Sequence, residues 1–227
     1  NIKLLSTSEE MKVHHLMRQI DLHHHSARVP CIYLADRSGG KGTQVKDIEI
    51  CGYAIFSDLK LVGYVEPEIS RGVNLILDNV EFSIVVVKDL SGHDVSLEII
   101  NSKTEVIPYF TGDNLDSVTL KTKVISNIGE IQSQANFINE EAISFMEAQQ
   151  SEILKNEMES ALRMILKLNS DCLEISDRIQ MKRPVKWHKI EAQWMQILPN
   201  LNIDIQVESI IQRSYEMREP SGSTGKE

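Results

Sequence analysis

The chain has 227 residues, 41% of them hydrophobic and 25% charged, enough apolar material to bury a core as one large domain or two modest ones. A formal net charge of -9 and a pI near 5.3 argue against nucleic acid as a partner, since phosphate backbones require basic clusters. No apolar run approaches the length of a bilayer-spanning helix, and a chain this acidic needs a separate attachment to work beside an anionic membrane.

The chain opens on Asn1-Ile2-Lys3-Leu4-Leu5 with no initiator Met and no signal-like segment, and reads as a fragment whose targeting segment lies outside it. Ser8-Glu9-Glu10 opens an amphipathic helix to about His23, with Met11, Leu16, Ile20 and Leu22 apolar. Val29 to Leu34 reads as a strand, which Pro30 restricts to a start or an edge. Ser38-Gly39-Gly40-Lys41-Gly42-Thr43 is a flexible turn, followed by a strand over 46–56 and a shorter one from Leu59 to Val65. Pro67 and Glu68 suit the first turn of a helix that runs through Leu77.

Beyond residue 79 the texture changes. Val80, Phe82, Ile84 and Val86 alternate with other residues, as do Val95, Leu97 and Ile99, and then Val118, Leu120, Thr122 and Val124. Ser91-Gly92-His93-Asp94 and Thr111-Gly112-Asp113-Asn114 supply turns, so these strands predict an antiparallel meander. From Asn139 to Lys182 no Gly or Pro occurs, which suits long helix. Ile143/Met146, Ile153/Leu154, Leu162 and Ile165/Leu166 form its inner stripe, and Asn169-Ser170-Asp171 interrupts it. Pro184 then opens a helix in which Trp187, Ile190, Trp194 and Ile197/Leu198 recur at helical spacing. Pro199-Asn200 ends it, and Ile203, Ile205, Val207 and Ile211 follow as a strand. The expected fold class is α+β with two mixed domains. Residues 1–78 form a small N-terminal domain containing the hairpin. Residues 79–218 form a larger C-terminal domain, β-β-β-α-α-α-β, with an antiparallel sheet packed on long helices. Residues 219–227 are a polar tail with nothing to bury and are expected to be disordered.

Few residues point to chemistry. His14-His15 and His23-His24-His25 are five of the seven histidines, but they lack the convergent spacing of a metal site and read as a polar helix face and end. The glycine-rich turn is not a phosphate loop, because Gly42 separates Lys41 from Thr43 and no Gly precedes at the required distance. Glu140-Glu141, Glu157 and Glu159 read as solvated helical charge. Catalytic, cofactor-binding and metal residues are accordingly expected to be none, and the chain is expected not to be an enzyme. Gly52 and Gly63 read as structural, Tyr53, Phe56 and Tyr64 as packing of the first domain, and both tryptophans as core anchors. Lys182-Arg183 and Lys186-His188-Lys189 make a small basic spot beside the Trp helix. Cys31, Cys51 and Cys172 lack metal spacing; Cys31 and Cys51 read first as small buried thiols. A hairpin centred near Lys41 nevertheless sets them opposite one another, which leaves a disulfide open in an oxidising compartment.

Two segments carry a resemblance. Trp187-x-x-Ile190-x-x-x-Trp194-x-x-Ile197-x-Pro199, followed by the alternating strand, is similar to the C-terminal signature of the C subunits of bacterial spore germinant receptors. Gly52-Tyr53-Ala54-Ile55-Phe56 and Lys60-Leu61-Val62-Gly63-Tyr64 resemble a second stretch of the same family, and the likeness extends over most of 45–212. The chain departs from the family at Cys172-Leu173-Glu174-Ile175-Ser176, where a more glycine-rich stretch is expected after Asp171. The resemblance implies a three-domain α/β lipoprotein on the outer, extracytoplasmic face of the spore inner membrane, held by a diacylated (palmitate-type) cysteine. None of the three cysteines here lies in that lipid-attachment context. It also implies work with a polytopic A subunit and a B subunit in the response to nutrients such as amino acids or sugars. A non-catalytic protein-contact module is the leading expectation. A direct germinant-binding protein is the alternative, and a metal enzyme built on the histidines is the third reading.

Overall fold

The structure is a computed structural model that describes residues 11–22, 24–38, 44–80, 83–131 and 139–212. The glycine-rich turn at 39–43, Phe82, His23, the start of the N-terminal helix and the tail at 219–227 lie outside the described residues. Helix α1 (Val13–Leu22) leads into strands β1 (Ala27–Ser38), β2 (Gln44–Ser57) and β3 (Lys60–Val65), which pair antiparallel in that order. Pro67 occupies the first turn of helix α2 (Pro67–Ile76), and Glu68 faces its positive end.

Strands β4 (Ser83–Lys88), β5 (Asp94–Thr111) and β6 (Asn114–Ile131) form the expected antiparallel meander, with β5 and β6 closed by a tight turn between Thr111 and Asn114. Helix α3 (Glu140–Lys167) follows, its Asn139 side chain accepting a bond from the Ala142 amide at 2.7 Å. Short helices α4 (Ile175–Lys182), α5 (Pro184–Ile190) and α6 (Trp194–Ile197) lead to β7 (Asn202–Gln212). β7 joins β6 in parallel, giving the order β4-β5-β6-β7. A parallel partner needs a long crossover, and the helices provide it.

Three local departures from the sequence pattern have clear causes. In β4 the inward residues are Ser83, Val85 and Val87, while Ile84 and Val86 point to solvent. Ser83-Ile84-Val85-Val86-Val87-Lys88 is apolar at both parities, so alternation cannot choose a face; the register Val85↔Leu97 and Val87↔Val95 does. The two-Trp helix is not continuous, since a 3-10 turn at Glu191–Gln193 separates α5 from α6 and another follows at Leu198–Asn200. The tight turns still bring Trp187, Ile190, Trp194 and Leu198 to one buried side. Tyr64, expected in the core, is 54% exposed, because its neighbour Val65 takes the inward position on β3.

One continuous cluster of buried side chains joins the two sheets, from Tyr53, Ile55 and Val65 through α2 and α3 to β5, β6 and β7. Within α3 the buried residues Met146, Gln150, Leu154, Met158, Leu162 and Ile165 recur every three to four positions. Gly72 lets α2 approach α3 closely, for a Cβ there would lie 2.2 Å from the Glu157 carbonyl oxygen. Beside that contact Arg71 grips Glu157 with two bonds, Nε to Oε2 at 2.7 Å and Nη2 to Oε1 at 2.5 Å, and donates to the Ile84 carbonyl at 2.7 Å. No helix among the described residues is long and apolar enough to cross a membrane.

Candidate functional site: a buried polar junction

The most chemically distinctive place in the molecule lies where the 169–176 loop docks on the first sheet. Ser57 donates to the Asn169 carbonyl at 2.6 Å, Ser170 donates to the Phe56 carbonyl at 2.8 Å, and the Asp171 amide donates to Ser26 Oγ at 3.1 Å. Arg28, only 4% exposed, reaches across with Nη1 to the Cys172 carbonyl at 2.8 Å and Glu174 Oε1 at 2.9 Å. These bonds close more than a hundred residues of chain, so no local pattern reports them.

Asp171 stands at the centre. Its carboxylate accepts from the Ile175 amide at 3.2 Å, the Ser176 amide at 3.3 Å and Trp194 Nε1 at 3.0 Å. The first two are orphan donors at the start of α4, which Glu174 enters from a left-handed backbone at φ 59°. Burial pushes the Asp171 carboxyl up to about 7, against the opposing pull of Ser176, Trp194 and the Ile175 amide. The Cys172 thiol is pushed up to about 12, again mainly by burial, which leaves it protonated and unreactive. Burial also lowers the pKa of Arg178, which donates to the Thr104 carbonyl at 3.4 Å.

The tryptophans form the wall of this junction. Their rings meet edge to face with centroids 5.1 Å apart, and Trp194 is fully buried. The His24 ring packs on Trp187 at 6.1 Å from a turn in which His24 and His25 both have positive φ. Partial burial lowers the His24 pKa, with Glu191 opposing and His25 adding to the shift. The arrangement fixes the first sheet against the C-terminal helices; its buried carboxylate is fully occupied by donors from its own chain.

The remaining residues singled out by sequence are dispersed. His14 and His15 stack edge to face on the exposed side of α1, and among the described residues no group of three or more His, Cys, Asp or Glu converges as a metal site. Glu157 holds Arg71, Glu159 pairs with Lys155, and Glu140 and Glu141 lie in the first turn of α3. The three lysines of the basic spot are paired within the molecule. Lys182 pairs with Glu105, while Lys186 at 3.0 Å and Lys189 at 2.7 Å both bind Asp113 at the β5–β6 turn. Those lysines hold the Glu105 and Asp113 carboxyls below their ordinary range. Tyr53 is fully buried and donates to Asn74 at 2.6 Å. Gly52 adopts φ +86°, and a Cβ there would meet the Val65 carbonyl at 2.0 Å, so the glycine is required by both conformation and space. Asp171 and Arg28 are the residues that sequence reasoning passed over; a carboxylate just before Cys172-Leu173 is the one local hint.

The fold that holds this junction is shared with known proteins. The model of the family described as spore germination B3/GerAC-like, C-terminal, matches residues 51–215, and the chain belongs to that family. It is similar to spore germination protein B3 of Bacillus subtilis (strain 168), with 22% identity over 144 residues that span 61% of this chain and 37% of that protein. Among solved structures it matches the crystal structure of the GerBC protein with a TM-score of 0.72 and 16% identity, over 88% of this chain and 60% of that one. The chain thus spans 37% of the one relative's length and 60% of the other's.

Proposed function

We propose that this chain is part of the C subunit of a nutrient germinant receptor and acts as a non-enzymatic contact module in spore germination. In this reading it works with the A and B subunits at the extracytoplasmic face of the spore inner membrane, tethered by a lipid anchor outside the 227 residues. No residue carries a catalytic, cofactor or metal role. Residues 1–78 and 79–218 act as two units that share one core.

The observation that carries the reading is where the family's residues fall. Of the residues that carry the resemblance, Tyr53, Ile55, Trp187, Ile190 and Trp194 are buried and Leu61, Val62 and Tyr64 are exposed, so the two-Trp and β2 anchors hold a shape. A shape held without an open catalytic set suits binding to other proteins. Crosslinking of the full-length protein in intact spores, followed by mass spectrometry, tests it. Links to the receptor's membrane subunits are expected. Turnover of a germinant by the purified protein would overturn the reading.

A further inference from the structure

A two-stranded ribbon projects beyond the first sheet. β3 pairs with β2 only over Tyr53 to Ser57, whereas the β1–β2 ladder continues from Ile32↔Ile50 to Ser38↔Gln44. Ile32 and Leu34 share a face with their partners Ile50 and Ile48, and Ile32, Leu34 and Ile48 are each more than 60% exposed. A ribbon of two strands is marginal in water, and these side chains add little burial to hold it. At its base the register steps between Pro30↔Tyr53 and Ile32↔Ile50, so that Cys31 alone faces Cys51 and Gly52. Cys31 is disulfide-bonded, Cys172 is free and buried, and the chain has three cysteines.

We propose that Cys31 and Cys51 form a staple across the base of this ribbon and keep it ordered, installed by thiol–disulfide exchange in an oxidising compartment. The two thiols give up two protons and two electrons to an oxidised dithiol protein or a low-molecular-weight disulfide. That oxidant leaves as two thiols while the new S–S bond forms. The link removes chain entropy from the opened ribbon, which the exposed aliphatic face cannot offset by burial. The neighbouring segment at Tyr53 and Ile55 is anchored in the core and does not depend on it.

The test uses the full chain equilibrated in a buffer of oxidised and reduced glutathione, then alkylated under denaturing, non-reducing conditions and mapped by mass spectrometry. One labelled cysteine, Cys172, and a joined Cys31–Cys51 peptide pair are expected, with three labels after reduction. Three labels without reductant, or a bond to a second chain through Cys31, would overturn the pairing. Hydrogen exchange then reads the role. Cys31→Ser and Cys51→Ser should each speed amide exchange in 31–38 and 44–50 by up to about 100-fold, while 60–65 stays protected. Unchanged exchange in the ribbon of both variants would overturn it.

Discussion

Replacing Trp194 with Phe separates the packing of the junction from its electrostatics. The indole is fully buried, stacks edge to face on Trp187 and donates to Asp171 at 3.0 Å. Phe keeps one aromatic ring and loses the donor. The lost volume costs roughly 1–2 kcal/mol. The lost bond costs about 1.5–3 kcal/mol when its acceptor is ionised and about 0.5–1.5 kcal/mol when it is neutral. The Asp171 carboxyl is raised from 3.8 to about 7, so the folded state holds the proton more tightly than the unfolded chain. Stability from this group is therefore full below about pH 4, declines as pH rises through 7 and is level above, a span on the order of 4 kcal/mol. Trp194 is among the groups that hold the value down, so its loss raises the carboxyl further and extends the decline to higher pH. Urea unfolding followed by far-UV circular dichroism should give a loss of about 2.5–5 kcal/mol at pH 8 and about 1.5–3.5 kcal/mol at pH 5. Equal losses at the two pH values would refute the role assigned to Asp171, and a loss under about 1 kcal/mol at both would refute the burial argument.

Other perturbations address separate contacts. Gly72→Ala places a methyl against the Glu157 carbonyl and should destabilise by about 1–3 kcal/mol in a thermal melt, with Gly112→Ala, where nothing lies within reach of the new carbon, as the comparison for backbone strain alone. Arg71→Ala breaks a half-sheltered bidentate pair linking α2 to α3 and should cost about 1–3 kcal/mol in urea unfolding, an effect that moderate salt does not abolish. Lys189→Ala should let the Asp113 carboxyl rise toward its ordinary range in a carboxyl NMR titration, without a resolvable change in melting temperature. Trp187→Ala should lose about 3–5 kcal/mol; wild-type stability with lost germination would mark that face as a docking surface instead.

Local signals in the sequence were sufficient where the pattern had one solution. Val95, Leu97 and Ile99 alternate against polar neighbours and all face inward, and Pro67 and Asn139 mark helix starts that the structure keeps. They were insufficient where two solutions were degenerate. The β4 run is apolar on both faces, so its phase comes from pairing with β5. The parallel placement of β7 comes from the crossover, since an alternating strand looks the same in either direction. The Asp171 junction was illegible for a third reason. Beyond the nearby Ile175 and Ser176 amides, the groups that complete it, Ser26, Arg28 and Trp194, are distant in sequence, and the carboxylate's burial depends on all of them together. The two-Trp motif lies in the core as its spacing predicts, yet the 3-10 break within it follows from packing that spacing alone does not contain.

The parallel seam between β6 and β7 also sets a timetable for the nascent chain. The side of β6 from Ser117 to Asn127 has its ladder partner only in Asn202–Gln212, the last strand of the fold. During synthesis that side of the meander stays bare while the whole helical crossover is still being delivered. A bare strand edge is a template for unwanted pairing, and contacts so distant in sequence form slowly. The C-terminal unit therefore completes its sheet only after almost all of it has emerged. Shortening the chain before β7 would leave a sticky half-sheet rather than a smaller working domain, so the final strand controls solubility as much as shape.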